Sequence, residues 1–115
     1  MSTNNQAQAV IDGILAGKIL ETFDAYYADD VVMSENRTEE RVGKAKNREY
    51  ELQFLDNVQE FHGASVGRKI IDGDFAAVEW TFDVTFKGGK HVVMHQVSVQ
   101  TWKDGKVVRE DFYHA

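Results

Sequence analysis

The sequence predicts an α+β fold, helices followed by a strongly curved antiparallel sheet, and three observations carry that prediction. Apolar residues in the first half recur at helical spacing. In the second half apolar and polar residues alternate, the period of half-buried strands. Gly-bearing turns at Asp72-Gly73-Asp74, Gly88-Gly89 and Asp104-Gly105 divide those segments. A sheet wrapped round the helices gives every helix stripe and the sheet's inner face a partner.

Val10, Ile11, Ile14 and Leu15 mark a first helix after the polar start Ser2-Thr3-Asn4-Asn5, and Gly17 can end it. Leu20, Phe23, Ala25, Tyr26 and Tyr27 mark a second helix that stops at Asp29-Asp30, and Val31-Val32-Met33 reads as a brief extended piece. Ser34 to Gly43 reads as polar loop. Lys44 to Val58, with Ala45, Tyr50, Leu52, Phe54, Leu55 and Val58, reads as a long third helix. The sheet begins at Ala64 to Ile71 and continues through Phe75 to Phe86 and the two strands after it. No proline interrupts this meander.

The register of the meander decides which side chains share a face. Trp80, Phe82, Val84 and Phe86 alternate with Glu79, Thr81, Asp83 and Thr85, so the inner face is aromatic. Two-residue loops at Gly88-Gly89 and Asp104-Gly105 set Phe82 opposite His95, Trp80 opposite Val97, Val99 opposite Glu110, Val97 opposite Phe112 and His95 opposite His114. That register gathers His95, Glu110 and His114 among aromatics on the inner face, and a slip of one residue would exchange the faces. The outer face would then carry Met94, Trp102 and Tyr113 among uncharged polar groups, a patch suited to a homodimer contact.

The 115 residues make one domain spanning 1–115, with 43% hydrophobic residues to build a core. The absence of cysteine excludes disulfides, thiolate metal sites and a cysteine nucleophile. A formal charge of -6 disfavours nucleic acid as a partner. The start MSTNNQAQAV lacks the pattern of a signal peptide, and no apolar run is long enough for a bilayer, so the expectation is a cytoplasmic protein with no membrane partner.

Tyr27-Ala28-Asp29-Asp30-Val31-Val32-Met33, Val42-Gly43-Lys44-Ala45 and Trp102-Lys103-Asp104-Gly105-Lys106-Val107-Val108 resemble the nuclear transport factor 2-like superfamily, and within it the SnoaL-like polyketide cyclase and ketosteroid isomerase branch. The resemblance covers nearly the whole chain. It implies a cone-shaped α+β barrel, three N-terminal helices packed in a curved mixed or antiparallel sheet, with a pocket inside and often a homodimer. It also implies that Glu35 falls where the isomerases hold their general base. The isomerases' two oxyanion donors are not reproduced, because Val10 or Ile11 and Val97 stand at their positions. Steroid isomerisation itself is therefore not the expected reaction.

The expected catalytic residues are Glu35, His95 and Glu110, with Tyr26, Trp80, Phe82, Val97, Phe112 and His114 lining the ligand site. Each has a structural reading beside it: Glu35 as an exposed loop carboxylate, His95 and His114 as a hydrogen-bonded pair, Glu110 in an ion pair with Arg68 or Lys69, and the aromatics as core. A metal held by His95, Glu110 and His114 is a third reading, and no metal or cofactor is expected. Two functions follow. One is a small-molecule isomerase, cyclase or lyase acting on a carbonyl compound by acid–base chemistry. The other is a non-catalytic ligand-binding or accessory module.

Overall fold

A computed structural model describes residues 3–115, so Met1 and Ser2 of the polar start lie outside the described residues. The element order is α1 (Thr3–Leu15), α2 (Ile19–Tyr26), β1 (Tyr27–Glu35), β2 (Glu39–Val42), α3 (Lys44–Asn57), β3 (Val58–Asp72), β4 (Phe75–Phe86), β5 (Lys90–Lys103) and β6 (Lys106–Tyr113). This is the expected α+β fold, three helices against a curved mixed sheet. The sheet is open rather than a closed barrel, with strand order β2-β1-β6-β5-β4-β3, so β2 and β3 are its edges. Among the described residues no helix is long and apolar enough to cross a membrane.

The helices form where the apolar spacing placed them. Ala7, Val10 and Ile11 are buried on one face of α1, with Ile14 partly buried beside them. Thr22 and Phe23 are the buried residues of α2, and Gly13 lets the two helices close up, because a Cβ there would meet the Thr22 hydroxyl at 2.1 Å. Phe23, Tyr27, Val31, Met33, Trp102 and Val107 join α1 in the main core, while Ile11, Val78 and Trp80 form a second cluster.

Three sequence expectations about elements are corrected. Asp29 and Asp30 do not end a helix; they lie within β1, which starts at Tyr27. Glu39–Val42, read as loop, is a strand that pairs antiparallel with β1, Val32 opposite Val42 and Glu35 opposite Glu39. β3 starts at Val58 rather than Ala64 and runs for 15 residues. No local pattern marks the β1–β6 pairing, which is parallel and sets Met33 beside Glu110 and Glu35 beside Phe112.

The register of β5 is also corrected. The β4–β5 connection holds three residues, Lys87-Gly88-Gly89, with the Gly89 amide donating to the Phe86 carbonyl at 3.0 Å. Gly88 and Gly89 both take positive φ, 98° and 88°, which glycine accommodates without strain. Phe86 therefore pairs with Lys90, Phe82 with Met94, Thr81 with His95 and Glu79 with Val97. The one-residue shift puts Met94, Gln96, Ser98, Gln100 and Trp102 on the inner face and His95 and Val97 on the outer one.

The β5–β6 turn is the two-residue turn expected, with Lys103 opposite Lys106 and Trp102 opposite Val107. A bulge between Thr101 and Trp102 then shifts the pairing by one, so that Gln100 rather than Val99 faces Glu110. Trp102 is 2% exposed and lies in the core, so the expected outer patch of Met94, Trp102 and Tyr113 does not exist as a set. Only Tyr113 of the three is exposed.

Candidate functional site

The curved sheet and the helices leave a cavity of about 590 Å³ between them. Ile14, Ile19, Phe23, Phe54, Trp80, Phe82, Met94 and Phe112 make most of its wall apolar. Trp80 and Phe82 stack at 5.3 Å between ring centroids, and the Trp80 indole N–H donates to Ser98 Oγ at 3.2 Å. The ring faces toward the cavity are therefore held by a fixed partner behind them.

Into this apolar wall project three carboxylates, Glu35, Glu51 and Glu110. Glu110, on β6, is 3% exposed. Its Oε1 accepts from the Tyr27 hydroxyl at 2.5 Å and its Oε2 from Gln100 Nε2 at 2.8 Å. Gln100 Oε1 in turn accepts from the Trp102 indole N–H at 3.1 Å, so a chain of side chains leads from the core to the cavity. Burial pushes the Glu110 carboxyl up to about 7, against the lowering effect of the Tyr27 and Gln100 hydrogen bonds. Burial, with the Glu110 charge beside it, also pushes the Tyr27 phenol well above its ordinary value.

Glu51, on α3, faces the same space. Asn47, Glu51 and Phe54 lie at i, i+4 and i+7, so one side of the helix presents them together. Burial pushes the Glu51 carboxyl up to about 7; the Arg41 charge pulls it down and the Glu35 charge adds to the rise. Among the described residues no hydrogen bond or ion pair engages the Glu51 carboxyl, in contrast to Glu110.

Glu35 stands at the end of β1 and is tied on both oxygens. Arg41 donates to Oε2 at 3.0 Å, and His114 Nε2 lies 3.0 Å from Oε1. Arg41 is itself fixed, its Nε donating to Asn47 Oδ1 at 3.0 Å and its guanidinium stacking over the Tyr50 ring at 3.7 Å. Asn47 completes the corner by donating to the carbonyls of Arg41 and Gly43 at 2.9 and 2.8 Å. The His114 imidazole is pushed up by its hydrogen bond with the Ala115 carbonyl and by Glu35.

Of the residues expected from sequence, Glu35, Glu110, Trp80, Phe82, Phe112 and His114 come together round the cavity. His95 also borders the cavity, but its Nδ1 lies 3.2 Å from Thr81 Oγ1 on the outer face, and it makes no hydrogen bond with His114. Val97 pairs with Tyr113 and Glu79 on the outer face and leaves the cavity wall to Met94 and Gln96. Tyr26 packs edge-on to Trp102 at 6.4 Å in the core, and its neighbour Tyr27 takes the cavity position. With His95 turned away, the group of His95, Glu110 and His114 cannot share a metal. The expected ion pair of Glu110 with Arg68 or Lys69 is replaced by Tyr27 and Gln100, and Arg68 binds Glu79 instead. Sequence reasoning missed Tyr27, Arg41 and Glu51. Glu51 shares a helix face with Phe54 three residues on, but that spacing alone does not mark it as a cavity residue.

No curated protein matches the chain. Among solved structures, a protein from Mesorhizobium loti named for the SnoaL-like polyketide cyclases, with carbohydrate phosphatase also in its name, is 30% identical; the match covers 99% of this chain and 100% of that one at a TM-score of 0.88. A nuclear transport factor 2-like protein of unknown function from Burkholderia pseudomallei is 17% identical over 100% and 92% of the two chains, with a TM-score of 0.82. TerC, co-crystallised with polyporic acid, is 19% identical over 96% and 89%, with a TM-score of 0.77. The last two likenesses concern the fold alone. The profile of the SnoaL-like domain matches residues 7–110, and with that span and the Mesorhizobium loti relative together the chain belongs to the SnoaL-like domain family.

Proposed function

We propose that this chain holds a small, largely apolar carbonyl compound in the cavity and moves a proton on it without a cofactor, as an isomerase, cyclase or lyase. One observation carries the reading: Glu51 presents to an apolar cavity a carboxyl that no group among the described residues engages and that burial raises to about 7. A base whose pKa lies near the working pH is ionised in a useful fraction and still draws a proton strongly. Glu35, the base expected from sequence, is already committed to Arg41 and His114.

The opposite wall supplies a donor. When Glu110 takes up a proton, Gln100 Nε2 can only donate, so the new O–H forms on Oε1 and donates to the Tyr27 oxygen. The Tyr27 O–H is then free to turn into the cavity and donate to a developing enolate oxygen. Its raised pKa keeps that proton in place. Proton removal by Glu51 and charge stabilisation by Tyr27 backed by Glu110 together make a complete acid–base pair, built at positions other than those of the steroid isomerases.

The test is deuterium uptake next to the carbonyl of compounds that first show binding by thermal stabilisation, drawn from flat carbonyl compounds with polyporic acid, with which TerC was co-crystallised, among them. Glu51→Gln is expected to slow uptake by about 10²–10⁴-fold and Tyr27→Phe by a smaller factor. Loss of uptake in Glu35→Gln with none in Glu51→Gln would move the base to Glu35. Stabilisation without uptake in the unaltered protein would identify a non-catalytic binding module.

A further inference from the structure

The outer face of the sheet carries a second group of chemistry-bearing side chains, on the side away from the cavity. His62 on β3, Asp83 on β4 and His91 on β5 each offer a ligand atom, and these atoms lie within 4.8 Å of one another. The two imidazoles meet edge to face with centroids 5.3 Å apart. His91 Nε2 is 2.5 Å from Asp83 Oδ1, and His62 Nε2 is 2.8 Å from Thr85 Oγ1.

Two local irregularities build this convergence. Phe61 pairs with Val84 and Gly63 with Asp83, so the register shifts between them and His62 is the extra residue of a bulge. A bulge re-aims the side chain it carries. The three-residue loop Lys87-Gly88-Gly89 then puts His91 opposite Thr85, on the outer face with Asp83; the two-residue loop would have turned it inward.

We infer that His62, Asp83 and His91 form a binding site for a divalent transition metal, zinc as its first probe, that clamps β3, β4 and β5 together. Two imidazoles and one carboxylate suit zinc and its neighbours, whereas magnesium and calcium prefer all-oxygen sets. Bonds of about 2.0–2.2 Å set tetrahedral donors roughly 3.3 Å apart, a distance these exposed side chains reach by modest rotation. Glu60, whose Oε1 lies 3.9 Å from His62 Nδ1, stands where a partner that orients a ligating imidazole belongs, and Nε2 would exchange Thr85 for the metal. The net charge of -6 adds a general attraction for cations. Water completes the coordination on the open side, and the clamp is independent of the chemistry assigned to the cavity.

Calorimetric titration of the untagged full chain with zinc and then magnesium tests this, supported by the visible absorption of the cobalt complex. One saturable zinc per chain is expected in the micromolar range, with imidazole-type cobalt absorption, a raised melting temperature and no response to magnesium. His62→Ala and His91→Ala are expected to weaken zinc binding at least about tenfold. His95→Ala, which alters the other histidine of the outer face, should bind as the unaltered protein does. All three positions are exposed, so far-UV dichroism serves to confirm the fold of each variant. Absence of a saturable site, or zinc uptake undiminished in His91→Ala, would overturn the inference.

Discussion

Burial pushes the carboxyls of Glu51 and Glu110 up to about 7, and this couples stability to pH. An unfolded glutamate titrates near 4.5, so between 4.5 and about 7 the folded chain holds more protons than the unfolded one. Stability therefore falls as pH rises through that window. Glu51→Gln removes one of the two contributions; its melting temperature is expected to drop less between pH ~5 and ~8, and to exceed that of the unaltered protein at the alkaline end. Parallel profiles in differential scanning fluorimetry would count against it. His114 works in the same direction at a higher pH, since its pKa is also raised in the fold. Its contact with Glu35 contributes fully below the ordinary value of 6.5 and is lost as pH rises through the raised one. His114→Ala should accordingly lower the melting temperature at acid pH and change it less above pH ~8. Glu110 was legible in the sequence, as a carboxylate on the inner side of an alternating strand needs partners. Glu51 was not, because a charged residue in a helix reads as a solvated face until the cavity opposite it is known.

The elements show where local pattern stops deciding. The alternation of β4 survives in the fold, because Ala76, Val78, Trp80 and Val84 are all buried. β5 carries valines at 93, 97 and 99 and polar residues between them, so its pattern favours the wrong face. The fold inverts it because the inner polar groups satisfy one another: Trp80 donates to Ser98, and Trp102 to Gln100. Gly88-Gly89 fits a two-residue or a three-residue loop equally, and only those contacts settle which. β2 was illegible for a related reason. Glu39-Glu40-Arg41-Val42 has no apolar rhythm, and its strand depends on pairing with β1 and on Asn47, which is 1% exposed and bonds the Arg41 and Gly43 carbonyls. Asn47→Ala removes the side-chain donor to the Arg41 carbonyl and the acceptor of the Arg41 Nε–H, while the Gly43 carbonyl keeps the backbone amide of residue 47, and it is expected to cost about 1–3 kcal/mol in urea denaturation. A cost under roughly 1 kcal/mol would show that the corner is held by other contacts.

At the scale of the molecule, β6 is the strand that joins the two halves of the chain. It pairs in parallel with β1 and antiparallel with β5, and Tyr27 meets Glu110 across 83 positions of sequence. The α+β class was readable from periodicity alone, whereas a parallel pairing over such a separation leaves no local trace. Amide groups of β1 and β6 around Met33 and Glu110 should exchange with deuterium more slowly than those of the edge strand β2 and the outer edge of β3. Uniform protection across the sheet in hydrogen-exchange mass spectrometry would contradict that order.

The chain that runs from Trp102 through Gln100 to Glu110, with Trp80 on the cavity wall, has an optical consequence. The protein has 2 tryptophans, and both indole N–H groups are hydrogen-bonded where the chemistry is proposed to occur. Their emission should therefore report occupancy and proton uptake without any added dye, Trp80 answering to an aromatic guest and Trp102 to the charge on Glu110. Replacing Trp80 with Phe would leave a single emitter whose intensity follows the acid group, so the protein carries its own indicator for the titration on which its proposed chemistry depends.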